Sequence, residues 1–154
     1  MFPLWSFCIA HLSFAVSRNR ESIARVLEKY QGQQLDPHYL GFFECFNQQL
    51  FYEAHEILEK LWLPARQGSD GAFYKGLIQL AGAFVHLTKN RLPPAASLLK
   101  LAHANLSKYA PTHHRLDTEA TLKIIQEWLG QVESGVFTSN SMESLTFPRL
   151  FLIS

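Results

Sequence analysis

The sequence is poor in cysteine and in net charge, and each shortage excludes a class of protein. Its two cysteines, Cys8 and Cys45, are too few for a disulfide framework, so a reduced compartment is expected. The 14 Lys and Arg residues nearly balance the 13 Asp and Glu residues, which leaves a net charge of +1. The chain therefore lacks the overall positive field that attracts DNA or RNA, and we expect no nucleic-acid partner.

Apolar runs long enough to cross a membrane are also missing. Residues 2–16 are almost entirely apolar, but this run is shorter than the ~20 residues of a membrane-spanning helix. Arg18 and Arg20 follow the run, whereas a secretory signal carries its positive charge before it. Helical spacing of the apolar residues favours a helix that packs in the core or docks on a partner. A membrane-associated segment and an extension outside the native fold are the alternatives.

The chain contains enough apolar and aromatic residues to form one hydrophobic core. Hydrophobic residues make up 47% of the 154 residues and aromatic residues 13%, which argues against disorder. A chain of this length forms one domain, or one domain with short extensions. We divide it into an N-terminal helical extension (1–36), a main helical domain (37–134), and a Ser/Thr-rich linker with an apolar C-terminal segment (135–154).

Apolar residues spaced three and four apart predict helices throughout, and no sustained alternation predicts a strand. Helices are expected over residues 23–30, 38–63, 72–90 and 93–109, and over a last stretch that begins at Asp117 or Thr118. Short loops between long helices favour antiparallel neighbours. The predicted fold is all-α, a compact antiparallel bundle of about four to six helices with an extended C-terminal segment.

The most informative helix carries a row of polar and aromatic side chains. His55, Glu59 and Trp62 stand at i, i+4 and i+7, which places them on one helical face, with Tyr52 and Glu56 beside them. A simple His55–Glu59 pair would stabilise its own helix by a few tenths of a kcal/mol. The alternative is that this face belongs to a functional site.

The following helix is apolar nearly all round, yet it contains Gln79 and His86, seven residues apart on one face. Buried Gln and His side chains need hydrogen-bond partners, or each costs roughly 1–3 kcal/mol. The preceding helix offers His55 and Glu59. We therefore predict a polar seam of these four residues, which are the candidate catalytic groups. A satisfied network without a ligand is the alternative.

A second hypothesis is that the polar seam binds a divalent metal ion, with His55, Glu59 and His86 as candidate ligands. In an antiparallel hairpin His86 would lie more than one turn from His55, so a metal triad needs a steep crossing angle or a third helix. Residues 55–59 have Glu where the H-E-x-x-H zinc motif has its second His. His113 and His114 are interpreted as solvated turn residues, with adventitious metal binding as the alternative.

Two segments resemble the DUF309 family. Residues 51–62 contain its H-x-x-x-E-x-x-W pattern, residues 75–86 contain a G-L-I-Q…H pattern, and Pro94-Ala95-Ala96 before Leu98-Leu99 also fits. The resemblance implies a small all-α protein of bacterial or archaeal type in the cytoplasm. It brings no established activity. The positions that carry over are His55, Glu59, Trp62, Gln79 and His86, with Glu53 and Glu56 beside them.

Three functional hypotheses follow from these residues. The leading one is a non-catalytic binding or interaction module with a buried His–Glu–Gln network, in which Tyr52, Glu56, Trp62 and Gln79 contribute to binding. A metal-assisted hydrolase and a small-molecule sensor, both using the seam, are the alternatives, so the question of enzymatic activity stays open. The expected partner is a protein or a small molecule. Low charge and high aromatic content also indicate a homo-oligomer, and no membrane partner is expected.

Overall fold

The computed structural model describes residues 15–137 and 145–154, with side chains from Asn19 onward. It confirms the all-α fold. The helices of this part are α1 (Ala15–Lys29), α2 (Pro37–Asn47), α3 (Phe51–Ala65), α4 (Gly71–Thr88), α5 (Leu92–Leu106) and α6 (Thr118–Glu133). After a 3-10 turn, a short antiparallel hairpin of β1 (Thr112–His113) and β2 (Leu116–Asp117) leads into α6.

Each helix packs mainly against its neighbours in the sequence, and α4 lies against both α3 and α5. Because α4 is apolar nearly all round, it becomes the central, most buried helix, as its composition predicts. Aromatic rings from α2, α3, α4 and α6 meet in the core. Their members include Phe42, Phe46, Phe51, Phe84 and Trp128. One core cluster also includes Ile23 of α1 and Leu150 near the C-terminus.

The predicted long helix over residues 38–63 is wrong, because the structure divides it into α2 and α3. Gln49 takes a left-handed backbone conformation with φ 63°, and the Leu50 amide donates to the Cys45 carbonyl at 2.8 Å. This turn brings Phe46 against Phe51, with ring centroids 5.1 Å apart. Neither Gly nor Pro marks the break, so the two strongest turn signals are absent there.

The apolar segments near the two ends of the chain differ in how far the structure describes them. The apolar segment 2–16 lies outside the described residues except for its last two positions, which begin α1. The extended C-terminal segment docks on the bundle as predicted, with Leu150 buried and Leu152 bridged to Leu116. In the described part of the chain, no helix has both the length and the apolar character needed to cross a membrane.

Candidate functional site

The polar row predicted for the third helical segment lies on α3. We call it the α3 row, and its members are Tyr52, His55, Glu56, Glu59 and Trp62. All five side chains are half-buried, while Ile57 and Leu58 on the other side of the helix are fully buried. Helical periodicity alone places these groups between core and surface, because residues three and four apart share a face.

His55 is strongly desolvated within the α3 row. Burial lowers the pKa of His55 from its usual 6.5 to about 4, so the imidazole is neutral at pH 7. The ring stacks on Tyr52, with centroids 6.2 Å apart and planes at 23°. A neutral imidazole offers one hydrogen-bond donor and one acceptor, which suits polar recognition or proton transfer better than anion binding.

The two carboxylates of the row lie on adjacent turns. Burial, and then the negative charge of Glu56, raises the pKa of Glu59. Glu56 accepts a hydrogen bond from the side-chain amide of Asn19, which comes from α1. That donor is neutral, so it leaves the charge of Glu56 in place. Within the described residues, no Lys or Arg forms an ion pair with Glu56 or Glu59.

Asn19 was not among the residues predicted for a site. It is buried, and its Oδ1 has no hydrogen-bond partner among the residues that the structure describes. Asn19, Ile23 and Val26 stand at i, i+4 and i+7, so helical spacing could have placed Asn19 on the inner face of α1. Its contact with Glu56 brings α1 to the edge of the α3 row.

Gln79 of α4 is turned toward α5. Its Oε1 accepts a hydrogen bond of 2.8 Å from the side-chain amide of Asn105, which the sequence interpretation missed. Gly76, three residues earlier on the same face, lies directly under Leu106 and Asn105. Helical spacing therefore makes this the α5-facing side of α4. The structure thus joins Gln79 to a polar partner on α5.

His86 lies seven residues beyond Gln79, near the start of α5. Burial lowers its pKa, and the positive charges of Arg91 and Lys89 lower it further. The Nδ1 atom is buried without a hydrogen-bond partner in the described part of the chain. Helical spacing places His86 on the same face as Gln79, so the two α4 candidates share the side toward α5.

A second polar cluster lies at the opposite end of α4, and the sequence did not predict it. The carboxylate of Asp70 faces two imidazoles, with Oδ1 2.7 Å from Nε2 of His113 and Oδ2 2.8 Å from Nε2 of His114. We call these residues the Asp70 cluster. The interpretation of His113 and His114 as solvated turn residues is therefore wrong. Both rings are half-buried and packed against aromatic side chains.

Two observations distinguish the Asp70 cluster, one electrostatic and one geometric. Burial alone would raise the pKa of Asp70, but hydrogen bonds from His114 and His113 outweigh it and hold that pKa below its usual range. Within the described residues, one group of three His, Cys, Asp or Glu side chains has ligand atoms all within 4.8 Å of one another, and it is this cluster. That group includes neither His55, Glu59 nor His86.

An open depression of about 420 Å³ lies elsewhere, between α1, α2 and the C-terminal segment. The charged side chains in its wall are Lys29, Glu44 and Arg149, and Lys29 pairs with Glu44 at 2.8 Å. Trp62 and Gln79 do not line it. This depression is therefore separate from both the α3 row and the Asp70 cluster.

Residues 39–98 match the family model described as Domain of unknown function (DUF309), in agreement with the resemblance of the two motifs to that family. The matched segment holds Tyr52, His55, Gln79 and His86, together with Asp70 of the second cluster. Asn19, His113 and His114 lie outside it. No curated protein and no solved structure matches the chain.

Proposed function

We propose a role from the α3 row itself, since the family model that residues 39–98 match is one of unknown function. The chain is a non-catalytic binding module, and the α3 row recognises a positively charged, partly apolar segment of a protein partner. The observation that carries this proposal is the pair of half-buried carboxylates, Glu56 and Glu59, which no described Lys or Arg neutralises.

Charge complementarity supports a basic partner. Glu59 holds its proton more tightly than usual because it is partly desolvated and lies near the charge of Glu56. A Lys or Arg from a partner would relieve this repulsion and remain beside carboxylates already shielded from water. Such charge pairs chiefly contribute specificity and association rate.

Apolar surface next to the carboxylates supports a partner that is also partly apolar. Trp62 ends the α3 row and is half-buried, and the neighbouring Leu63 is 47% exposed. Aromatic residues at the border of core and water are frequent anchors in protein interfaces. Neutral His55 and Tyr52 add hydrogen-bonding groups without adding charge.

The arrangement of α4 favours a module over a hydrolase or a sensor in the predicted seam. Either alternative needs His55, Glu59, Gln79 and His86 to converge on one substrate or ligand. Gln79 instead bonds to Asn105 on the side of α4 that faces α5. Its acceptor oxygen therefore serves the packing of α4 against α5.

The proposal is tested by fluorescence anisotropy with two labelled amphipathic peptides of equal apolar content, one carrying Lys and the other Glu. The wild-type chain should bind the Lys peptide, and added salt should weaken binding. Glu59→Gln should weaken binding about tenfold, which corresponds to about 1.4 kcal/mol. Glu127→Gln, at an exposed position of α6, is the matched control and should bind as the wild type does.

Two outcomes would overturn the proposal. Equal binding of both peptides would show that charge complementarity plays no part. An equal loss in Glu59→Gln and Glu127→Gln would show that the overall charge, and not the α3 row, attracts the peptide. Melting curves of each variant ensure that a loss of binding is not a loss of folding.

A further inference from the structure

We propose that the Asp70 cluster is a binding site for a divalent transition metal, with Zn²⁺ as the best-suited ion. Asp70 immediately precedes α4, while His113 ends β1 and His114 begins the turn of the hairpin. Two imidazole nitrogens and one carboxylate thereby come together from segments more than 40 positions apart in the chain. This site is separate from the α3 row and does not depend on the proposed function.

The donor set suits this class of metal. Neutral imidazole and carboxylate are common zinc ligands, with bond lengths of about 2.0–2.2 Å. Ligand atoms around a tetrahedral ion with such bonds lie roughly 3.4 Å apart. In the structure the His113 and His114 nitrogens lie 2.7 Å and 2.8 Å from the Asp70 oxygens. These distances run to two different Asp70 oxygens, and one ligand atom from each residue lies within 4.8 Å of the other two. Each pair of ligand atoms therefore needs to shift by no more than roughly 1.4 Å to reach the tetrahedral separation.

Asp70 is available as a ligand because it does not cap its helix. An Asp before the first turn of a helix usually accepts a hydrogen bond from a backbone amide of that turn. The side chain of Asp70 makes no such bond to α4. Both of its oxygens face the two imidazoles instead, and its side chain is 29% exposed, so an ion from solvent can reach it.

Aromatic rings hold both imidazoles in place. His113 packs against Phe73 and Tyr109, with ring centroids 4.7 Å away in each case. His114 lies nearly parallel to Tyr74, with planes at 6°. These contacts restrict rotation of the two rings, so less conformational entropy is lost when a metal binds.

The backbone that carries the second imidazole is also held in an uncommon conformation. His114 and Arg115 form the two-residue turn of the hairpin with φ values of 45° and 64°, a region that favours glycine. Tyr39 donates a hydrogen bond of 3.0 Å to the His114 carbonyl, and the side chain of Arg115 donates to the Ile153 carbonyl at 2.7 Å. Non-glycine residues in such conformations concentrate at binding sites.

Three protein ligands leave at least one coordination position open. Structural zinc sites usually have four protein ligands, whereas sites that bind water or substrate at the metal have three. The side chains of His113 and His114 are 29% and 35% exposed. An ion held here would therefore keep a solvent-accessible position.

Isothermal titration calorimetry with Zn²⁺ on the untagged full chain, after removal of metal with a chelator, tests the proposal. We expect one equivalent of Zn²⁺ to bind. Co²⁺ bound at the same site should give the visible absorption that is typical of a low coordination number. Asp70→Asn, His113→Gln and His114→Gln should each weaken Zn²⁺ binding at least tenfold. Mg²⁺, which prefers six oxygen ligands, should not compete.

Two matched variants locate the ion. His38 forms a second His–Asp pair, with Asp36 at 3.0 Å, and His86 is the α4 imidazole near α5. His38→Gln and His86→Gln should both bind Zn²⁺ as the wild type does. Absence of binding to the wild type, or a loss in either control as large as that in His113→Gln, would overturn the proposal. Zn²⁺ should also raise the melting temperature of the wild type but not of folded Asp70→Asn.

Discussion

The side chain of Asn47 satisfies both hydrogen-bonding groups of the Leu150 backbone. Its Nδ2 donates to the Leu150 carbonyl at 2.7 Å, and its Oδ1 accepts from the Leu150 amide at 2.8 Å. The two hydrogen bonds resemble one step of a β-ladder, with the Asn47 side chain at the end of α2 taking the place of a neighbouring strand. They explain why the Leu150 backbone can be buried next to a helix without unsatisfied polar groups.

Replacement of Asn47 should release this segment. Asn47→Ala leaves the amide and carbonyl of Leu150 without partners, so we expect a loss of about 1–3 kcal/mol in the free energy of unfolding. Urea unfolding followed by circular dichroism measures it. Gln48→Ala, at the exposed neighbouring position, should change stability by less than about 0.5 kcal/mol. Equal midpoints for both variants would show that the Asn47–Leu150 bonds do not contribute.

His55 should make the protein acid-sensitive. Its pKa is about 4 in the folded chain and 6.5 in the unfolded one, so only the unfolded chain takes up this proton between those values. The free energy of unfolding should therefore fall as the pH drops from 6.5 toward 4, by up to about 3 kcal/mol from this group. Urea unfolding at several pH values, compared with His55→Leu, isolates this contribution. Parallel curves for both proteins would contradict it.

Glu59 is predicted to reduce stability at neutral pH. Because burial and the charge of Glu56 raise its pKa, the folded chain disfavours the ionised carboxylate. Glu59→Gln should raise the free energy of unfolding at pH 7 by a few tenths of a kcal/mol, and the gain should vanish below the usual glutamate pKa of 4.5. Urea midpoints at both pH values test this. A variant less stable than the wild type at pH 7 would show that the carboxylate stabilises α3.

The bond between Gln79 and Asn105 should couple α4 to α5. Gln79→Leu leaves the half-buried Asn105 amide without its acceptor, and we expect a cost of about 1–3 kcal/mol. The double variant Gln79→Leu with Asn105→Leu should cost less than the sum of the two single variants. A double-mutant cycle from urea unfolding measures the coupling, expected to be on the order of 1 kcal/mol. Strict additivity would mean that the bond makes no net contribution.

Two glycines in helices should respond in opposite directions to alanine. A Cβ on Gly76 would lie 2.8 Å from Cγ of Leu106, so α4 and α5 would have to separate, and Gly76→Ala should cost about 1–3 kcal/mol. A Cβ on Gly130 would meet nothing within 4 Å. Gly130→Ala should stabilise α6 by up to about 1 kcal/mol, because alanine favours helix. Thermal melting of both variants tests the contrast, and a stabilised Gly76→Ala would refute the close packing.

Much of the fold was predictable because its determinants are local. Spacing of apolar residues located the helices, and Asp117 was one of two predicted caps of α6, where it accepts from the Ala120 amide. The break at Gln49 was not predictable in this way. A glutamine in the left-handed conformation is tolerated there because packing of Phe46 on Phe51 outweighs the local preference.

The sequence by itself determined which residues share a helical face. His55, Glu59 and Trp62 on α3, and Gln79 and His86 on α4, follow from 3.6 residues per turn, since a helix places its side chains independently of its neighbours.

Only the tertiary structure decided which faces meet. Gln79 lies against Asn105, and Asp70 lies against His113 and His114. Such pairs depend on helix crossing and on the conformation of turns. Packing between residues far apart in the chain determines the helix crossings and the turn conformations, so the spacing of residues along the sequence does not predict them.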